Sequence, residues 1–321
     1  MSIVVTGGAG FIGSCVVAKL NQLGREDIYI VDNVNTSEKW MNLRNKKYIR
    51  YYHKDEFLEE LDYLEGIEAI VHLGACSATT EQDFDYLYRN NFLYSTTLYE
   101  YAREHQISFL YASSAATYGD GELGFDDKMD YRKLLPLNRY GYSKQLFDEW
   151  EGKQKEKPRQ VVGMKFFNVY GPNEYAKGSM ASMIFHGYKQ VKENGCIKLF
   201  KSYKEGFEDG KQLRDFVYVK DICDAIIFFL ENNGVSGLFN LGTGHADSFY
   251  NLAESVFIAL DLEPKIEFIE MPEVLRGKYQ YFTEAKMDKL REAGFTKHFY
   301  DLRKGTIDYV QNYLDQGFKV W

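Results

Sequence analysis

The sequence predicts an α/β protein, a doubly wound parallel sheet joined to a smaller mixed and mainly helical part. Three observations carry this reading. Apolar strands alternate with helical segments through residues 1–170, which implies parallel pairing with right-handed crossovers. A glycine-rich turn links the first strand to the first helix. After Pro172 the rhythm changes, and helices separated by polar stretches take over.

Taken in order, Ile3-Val4-Val5 is a short β-branched run, and residues 12–23 have helical periodicity closed by Gly24. Residues 28–31 form a second strand, stopped by Asp32-Asn33. Residues 69–73 and 109–112 are further apolar strands, with a Tyr-rich helix over 84–103 between them. Residues 161–167 form another strand, and Gly171-Pro172 ends that regular stretch. Beyond it, a helix over 179–193 precedes a polar stretch at 202–212. Strands at 216–219 and 238–241 then bracket a helix over 221–231, and the last third is mostly helical and charged.

Composition narrows the function. At 321 residues, 45 % hydrophobic and 27 % charged, the chain can bury a core without disulfides or a structural metal. A net charge of −8 opposes a phosphate-backbone grip, so no nucleic-acid partner is expected and any anionic ligand needs local cations. The apolar run at 225–230 is too short to span a bilayer, so no membrane partner is expected. Residues 1–7 lack the basic start and cleavage-like site of a signal peptide, and a cytoplasmic location is expected. Cys15, Cys76, Cys196 and Cys223 are scattered, with no CxxC pair and no His at zinc spacing. No metal is expected.

Two local patterns carry chemistry. Thr6-Gly7-Gly8-Ala9-Gly10-Phe11-Ile12-Gly13 follows a strand and opens a helix, the context of a dinucleotide fingerprint. Gly7, Gly10 and Gly13 let backbone N–H groups approach a pyrophosphate at the helix N-terminus. Asp32 ends the second strand, where a carboxylate can accept from adenosine ribose hydroxyls. Tyr140 and Lys144 are four apart and share a helix face, so the ammonium can draw the phenol toward its working range. The strand at 109–112 runs into Ser113-Ser114, and a serine there can hydrogen-bond a substrate hydroxyl beside the tyrosine.

In that order these motifs resemble the extended short-chain dehydrogenase/reductase superfamily, whose fold is the Rossmann type and whose members mostly act on nucleotide-activated sugars. Arg214-Asp215-Phe216-Val217-Tyr218-Val219-x-Asp221 and Phe239-Asn240-Leu241-Gly242-Thr243-Gly244 extend the likeness over nearly the whole chain. Three strings are similar to the ADP-glycero-manno-heptose 6-epimerase family: 74–81 (GACSATTE), 171–182 (GPNEYAKGSMAS) and 276–280 (RGKYQ). That family makes a precursor of the lipopolysaccharide inner core. The resemblance implies NADP as a tightly bound cofactor and a homo-oligomer, a pentamer. The rhythm of elements along the chain divides it into a nucleotide-binding domain, 1–168 plus about 214–245, and a substrate-binding domain, about 169–213 plus 246–321.

The resemblance also implies residue roles. Phe11 and Ile12 contact the cofactor, Asp32 and Asn33 its adenosine ribose, and Lys39 and Lys54 its phosphate. Leu73, Gly74, Ala75, Cys76 and Ser77 line the cofactor, Asn90 reaches it, Val169 flanks the nicotinamide and Lys144 holds the nicotinamide ribose. Substrate contacts come from Ser114, Asn168, Ser179, His186, Phe200, Lys201, Ser202, Tyr203, Arg214 and Tyr279. Asp32 alone favours NAD, whereas Lys39 favours NADP. Arg214 is either a fork for a diphosphate or a partner of Asp215 or Asp221.

Inverting an unactivated carbinol centre breaks a C–H bond that no ordinary base can deprotonate, and a nicotinamide solves this by taking hydride. Two epimers place the hydroxyl differently, so Tyr140 needs a second acid/base. The resemblance assigns that role to Lys177, which also contacts the cofactor. The other readings are a different nucleotide-sugar epimerase or dehydratase, such as one acting at C4 of a UDP-hexose, and a non-catalytic NADP-sensing regulator. A dehydratase wants an acid beside the strand-end serine, where this chain has Ala115-Ala116.

Overall fold

The computed structural model describes residues 1–276 and 279–321; Gly277 and Lys278 of the 276–280 string lie outside the described residues. In chain order the first strands are β1 (Ser2–Thr6), β2 (Ile28–Asp32), β3 (Arg50–His53), β4 (Ile67–His72), β5 (Ser108–Ser114) and β6 (Gln160–Phe166). Then come β7 (Asn168–Tyr170), β8 (Ile197–Phe200), β9 (Leu213–Tyr218), β10 (Gly237–Leu241), β11 (Ala246–Ser248) and β12 (Ile266–Ile269). Seven of them form one sheet in the order β10-β6-β5-β4-β1-β2-β3, every pair parallel. The strand order reverses between β1 and β4, so a crevice opens there at the carboxyl ends of the strands.

Alternate residues of each strand feed opposite faces. Ile3 and Val5 pack with the helices Phe11–Gln22 and Val219–Glu231 on one side, while Val4, Ile70 and Phe109 pack on the other. The second face is covered by Phe57, Leu98 and Phe147 from the helices Lys54–Glu60, Tyr94–Glu104 and Arg139–Gly152. Helix covers both sides of the sheet, the doubly wound arrangement that the alternation predicts.

The strand expected at 216–219 forms as Leu213–Tyr218 but does not join the large sheet. It pairs with β7 in parallel and with β11 antiparallel, a separate mixed sheet. An apolar run marks a buried strand without saying which neighbour it takes. The other additions are β3, β7, β8, β11 and β12, short strands at sheet edges or in two- and three-stranded sheets. At three or four residues each they are too short for an alternating pattern to stand out, even where, as in β8, Ile197 and Leu199 are buried.

Two helices differ instructively from expectation. The helix expected over 179–193 begins at Met183, because Ser182 caps it by accepting from the Phe185 N–H at 3.2 Å, and it ends at left-handed Gly195. The Tyr-rich helix is continuous from 84 to 104 but carries a π-helical turn at Tyr88–Leu93, a feature that favours functional sites.

Glycine is required at the first turn on steric grounds. Gly7 has φ +66°, and a Cβ on Gly13 would lie 2.1 Å from the Gly7 carbonyl oxygen. Gly13→Ala is therefore expected to destabilise the fold by about 1–3 kcal/mol through overpacking. A urea midpoint equal to wild type would show that the turn can relax away from the added methyl.

Candidate functional site

The switch-point crevice opens into a cavity of about 1270 Å³, larger than the usual single-ligand pocket of about 300–1,000 Å³ and roomy enough for two molecules. Gly7, Gly10, Phe11, Ile12 and Gly13 form one wall. The helix Phe11–Gln22 has Gly10 at its N-cap and no side-chain cap, so its first N–H groups are left for an anion. A Cβ on Gly7 would come within 2.7 Å of the Gly74 nitrogen. The cradle fits a dinucleotide pyrophosphate only with glycines at these places.

At the end of β2 Asp32, 7 % exposed, accepts from the Ala9 N–H at 2.9 Å and the Asn33 N–H at 2.7 Å. Lys39 donates to its Oδ1 at 2.6 Å, so the carboxylate is neutralised by the very lysine expected to favour NADP. Both line the cavity, as do Leu73, Gly74, Ala75, Ser77 and Val169.

Four expected cofactor residues stand elsewhere. Lys54, just after the end of β3, pairs with its neighbour Asp55 at 2.6 Å and does not line the cavity. Asn33 does not line the cavity, although its Oδ1 is buried with no partner among the described residues. Cys76 lies between two lining residues with its backbone turned to Asn91. Asn90 donates to Asn91 at 3.3 Å rather than lining the cavity.

Asn91 is a residue that sequence reasoning missed. Fully buried on the π-helical turn, it accepts from the Cys76 N–H at 2.8 Å and donates to the Cys76 carbonyl and the Ser143 hydroxyl, both at 3.0 Å. It thereby ties the loop after β4 to the helix that carries Tyr140. The one available signal was an adjacent pair of asparagines inside a helix, and spacing does not say which faces inward.

Tyr140, Ser114 and Lys144 meet on the cavity wall. Burial raises the Tyr140 phenol above its ordinary range, and a hydrogen bond with Ser114 works against that rise. Burial pushes Lys144 down to about 8 against the pull of Asp148 and Cys76, and its Nζ donates to the Ala112 carbonyl at 2.9 Å. Lys177 also lines the cavity, 5.4 Å from the Phe11 ring centre, and burial lowers its pKa against the attraction of Glu174. Glu174 is buried and closes the 171–182 turn by accepting from the Ser182 N–H at 2.6 Å and the Ser182 hydroxyl at 2.7 Å. Ser179, on the same turn, is exposed and lies outside the cavity lining.

Of the expected substrate residues, Asn168 and Arg214 line the main cavity, while His186, Phe200 and Tyr279 line a second one of about 460 Å³. Arg214 joins the two: it is 7 % exposed, and its guanidinium lies 5.2 Å from the Tyr279 ring centre and 5.8 Å from that of Phe249. Neither candidate carboxylate pairs with it. Asp215 accepts from Thr243, Gly244 and Ala285, and Asp221 accepts from the Tyr300 N–H. Lys201 and Tyr203 instead bind Glu270, and the Ser202 N–H donates to Asp209 at 2.7 Å. Gln280 and Thr283, which sequence reasoning did not select, line the main cavity.

A dinucleotide cradle opening onto a buried Tyr–Lys helix, on a parallel sheet of this order, defines the nucleotide-dependent epimerases and dehydratases. The chain belongs to the NAD dependent epimerase/dehydratase family, which matches residues 3–242. It is 55 % identical to the ADP-L-glycero-D-manno-heptose-6-epimerase of Fusobacterium nucleatum, over 97 % of this chain and 98 % of that one. The enzyme of the same name from Nitratidesulfovibrio vulgaris is 53 % identical over 97 % of each chain. Among solved structures, the Helicobacter pylori ADP-L-glycero-D-manno-heptose-6-epimerase is similar with a TM-score of 0.80 at 27 % identity, covering 97 % of this chain and 95 % of that one.

Behind the cradle, His72 is buried between Thr6 (2.6 Å at Nδ1) and Ser95 (2.8 Å at Nε2). Ser95 donates to the Asn91 carbonyl and Thr6 accepts from the Gly74 N–H, so the partners fit a neutral ring protonated at Nε2. Burial pushes the His72 pKa down to about 3. Below about 6.5 the unfolded chain takes up a proton here that the folded chain refuses, so stability falls as pH falls. This group should cost about 2 kcal/mol between pH 7 and pH 5. His72→Gln, unfolded in urea at both pH values, should lose that part of the difference. An unchanged pH dependence would show that other groups carry it.

Proposed function

We infer that this chain is an ADP-glycero-manno-heptose 6-epimerase, inverting C6″ between the D-glycero and L-glycero forms by transient oxidation. One observation carries the reading. The cradle wall, the Tyr140–Ser114–Lys144 group and Lys177 share one cavity, and Arg214, with no carboxylate partner among the described residues, connects it to a second cavity lined by aromatic rings. A nucleotide diphosphate suits that junction, since a buried guanidinium is a strong fork for phosphate oxygens. The relatives' names supply the sugar.

The residues at the cradle fit a nicotinamide dinucleotide, held by the helix N-terminus, Asp32 and Lys144. When bound, it supplies a hydride acceptor and donor at the carbinol carbon, with no net redox change. Tyr140 takes the hydroxyl proton of one epimer and Lys177 that of the other, while Ser114 steadies the oxygen. Lys144 holds the nicotinamide ribose, and its ammonium favours the phenolate. We read NADP as the preferred cofactor, with NAD as the lesser; Lys39, which lines the cavity beside Asp32, supports this by offering a cation to a 2′-phosphate. The working unit is read as a cytoplasmic homo-oligomer, and the product as a lipopolysaccharide precursor. Among the described residues no helix is long and apolar enough to cross a membrane.

Substrate deuterated at C6″ should keep its label in both epimers when turned over in ordinary water, and Tyr140→Phe and Lys177→Met should each abolish epimerisation while cofactor stays bound. Label lost to solvent would exclude the hydride route. Near-normal turnover by Lys177→Met would remove the second acid/base from that residue.

Lys39→Ala tests the cofactor choice. It deletes the cation and leaves Asp32 unneutralised, so NADP affinity should fall about 10-fold or more while NAD affinity changes less. Equal losses in a binding titration would remove the preference from Lys39.

A further inference from the structure

Directly behind the Tyr140–Lys144 helix lies a charged pair that the chemistry above does not use. Asp148 and Lys165 are joined at 3.0 Å with both side chains 1 % exposed. Asp148 sits one helical turn beyond Lys144, on the same face. Its Oδ1 accepts from the Tyr111 hydroxyl at 3.1 Å, and its Oδ2 accepts from the Ser113 hydroxyl at 2.7 Å. Lys144 donates to the carbonyl of Ala112, the residue between them. Three consecutive residues of β5 are thus gripped by two side chains of one helix, and the next residue is Ser114. From β6, Lys165 also donates to Thr117 at 2.5 Å, and Thr117 in turn donates to the Ser114 carbonyl at 2.8 Å.

Stability alone is a poor reason for such a pair. Replacing a buried ion pair by apolar groups of similar size is often neutral or stabilising, because desolvation offsets the attraction. We propose that Asp148 and Lys165 are positioning residues: they hold the Tyr140 helix in register on β5 and set the electrostatic field at the Lys144 ammonium. The proposal rests on the reading that Lys144 holds the cofactor ribose.

The surroundings of Lys144 leave little else to set that field. Its own helix contributes Tyr140 and Asp148, the loop after β4 contributes Cys76, β4 contributes His72, β5 contributes Tyr111 and Ser113, and β6 contributes Lys165. Burial raises the pKa of Tyr140, Cys76 and Tyr111 and lowers that of His72, so all four are neutral at neutral pH. Asp148 and Lys165 are the remaining charges, one of each sign. Lys144 itself, drawn down to about 8, loses its charge within the working range, where a small change of field has a large effect.

The test is the dissociation constant of NADP⁺ measured by titration from pH 6 to pH 10 on the full chain. Wild-type affinity should fall on the alkaline side as Lys144 deprotonates. Asp148→Asn removes the negative charge and should move that fall down by about one pH unit. Lys165→Gln removes the positive charge and should move it up by a similar amount. The double variant Asp148→Asn/Lys165→Gln, which leaves neither charge unpaired, should return it close to wild type. Shifts of the two single variants in the same direction, or a lowered melting temperature with the fall unmoved in Lys165→Gln, would overturn the proposal and leave the pair a structural brace. A wild-type profile flat to pH 10 would overturn the Lys144 reading and this proposal together.

Discussion

The site depends on how closely two backbones pass where the strand order reverses between β1 and β4. A Cβ on Gly7 would stand 2.7 Å from the Gly74 nitrogen, and one on Gly74 would stand 3.0 Å from the Gly7 nitrogen. That approach fixes the glycine turn against the loop after β4. Thr6, His72, Ser95 and Asn91 then carry the constraint inward as a buried hydrogen-bonded chain that ends on Cys76 and Ser143. The cradle and the Tyr140 helix therefore cannot shift independently. The chain contains no resident charge, since burial keeps His72 neutral, so it transmits position without perturbing the groups that titrate.

Charge is instead concentrated on the cavity wall. The protein carries −8 overall, yet Lys39, Arg139, Lys144, Lys177 and Arg214 line the main cavity against two carboxylates, Asp32 and Glu81. An anionic ligand meets a local field opposite in sign to that of the whole chain. Screening over about 8–10 Å at ordinary ionic strength lets the local groups decide. One of these cations, Lys39, is already paired, whereas Arg214 has no carboxylate partner among the described residues. The Arg214 guanidinium does donate to the Leu213 and Gln280 backbone carbonyls, so at both ends an incoming phosphate meets a cation that already has partners.

The parts of this arrangement that the sequence made legible are those written in contiguous residues. The glycine turn, Asp32 at a strand end, and Tyr140 with Lys144 each sit within one or two elements, and each lines the cavity. Long-range choices were not legible. An apolar run at 216–219 marked a strand but not its partner, and β9 pairs with β7 and β11. Lys54 and Asn90 were placed by analogy of position, and the structure turns them toward Asp55 and Asn91. Lys201 and Tyr203 were expected to contact substrate, and Glu270, distant in sequence, holds both. The Asp148–Lys165 pair had left a trace: a lysine inside the apolar strand 161–167 and an acid one turn beyond Lys144. Either residue alone reads as a solvated side chain, and only the crossing of β6 behind the helix makes them a pair.

The separation of grip from chemistry has a consequence for the epimerase reading. Binding that is equal in the ground and transition states does not accelerate the reacting step, so strong contacts are best placed away from the carbon that changes. Arg214, buried against Tyr279 and Phe249, offers such a contact at the junction of the two cavities. The groups we propose to handle protons, Tyr140 and Lys177, come from different elements, the helix after β5 and the turn after β7. A substrate anchored at its diphosphate can then present either configuration of one carbon to a group suited to it, while the anchor stays the same. Two acid/bases with one remote anchor are what an inversion without net oxidation demands. A one-way dehydrogenase, releasing an oxidised product, would gain nothing from the second.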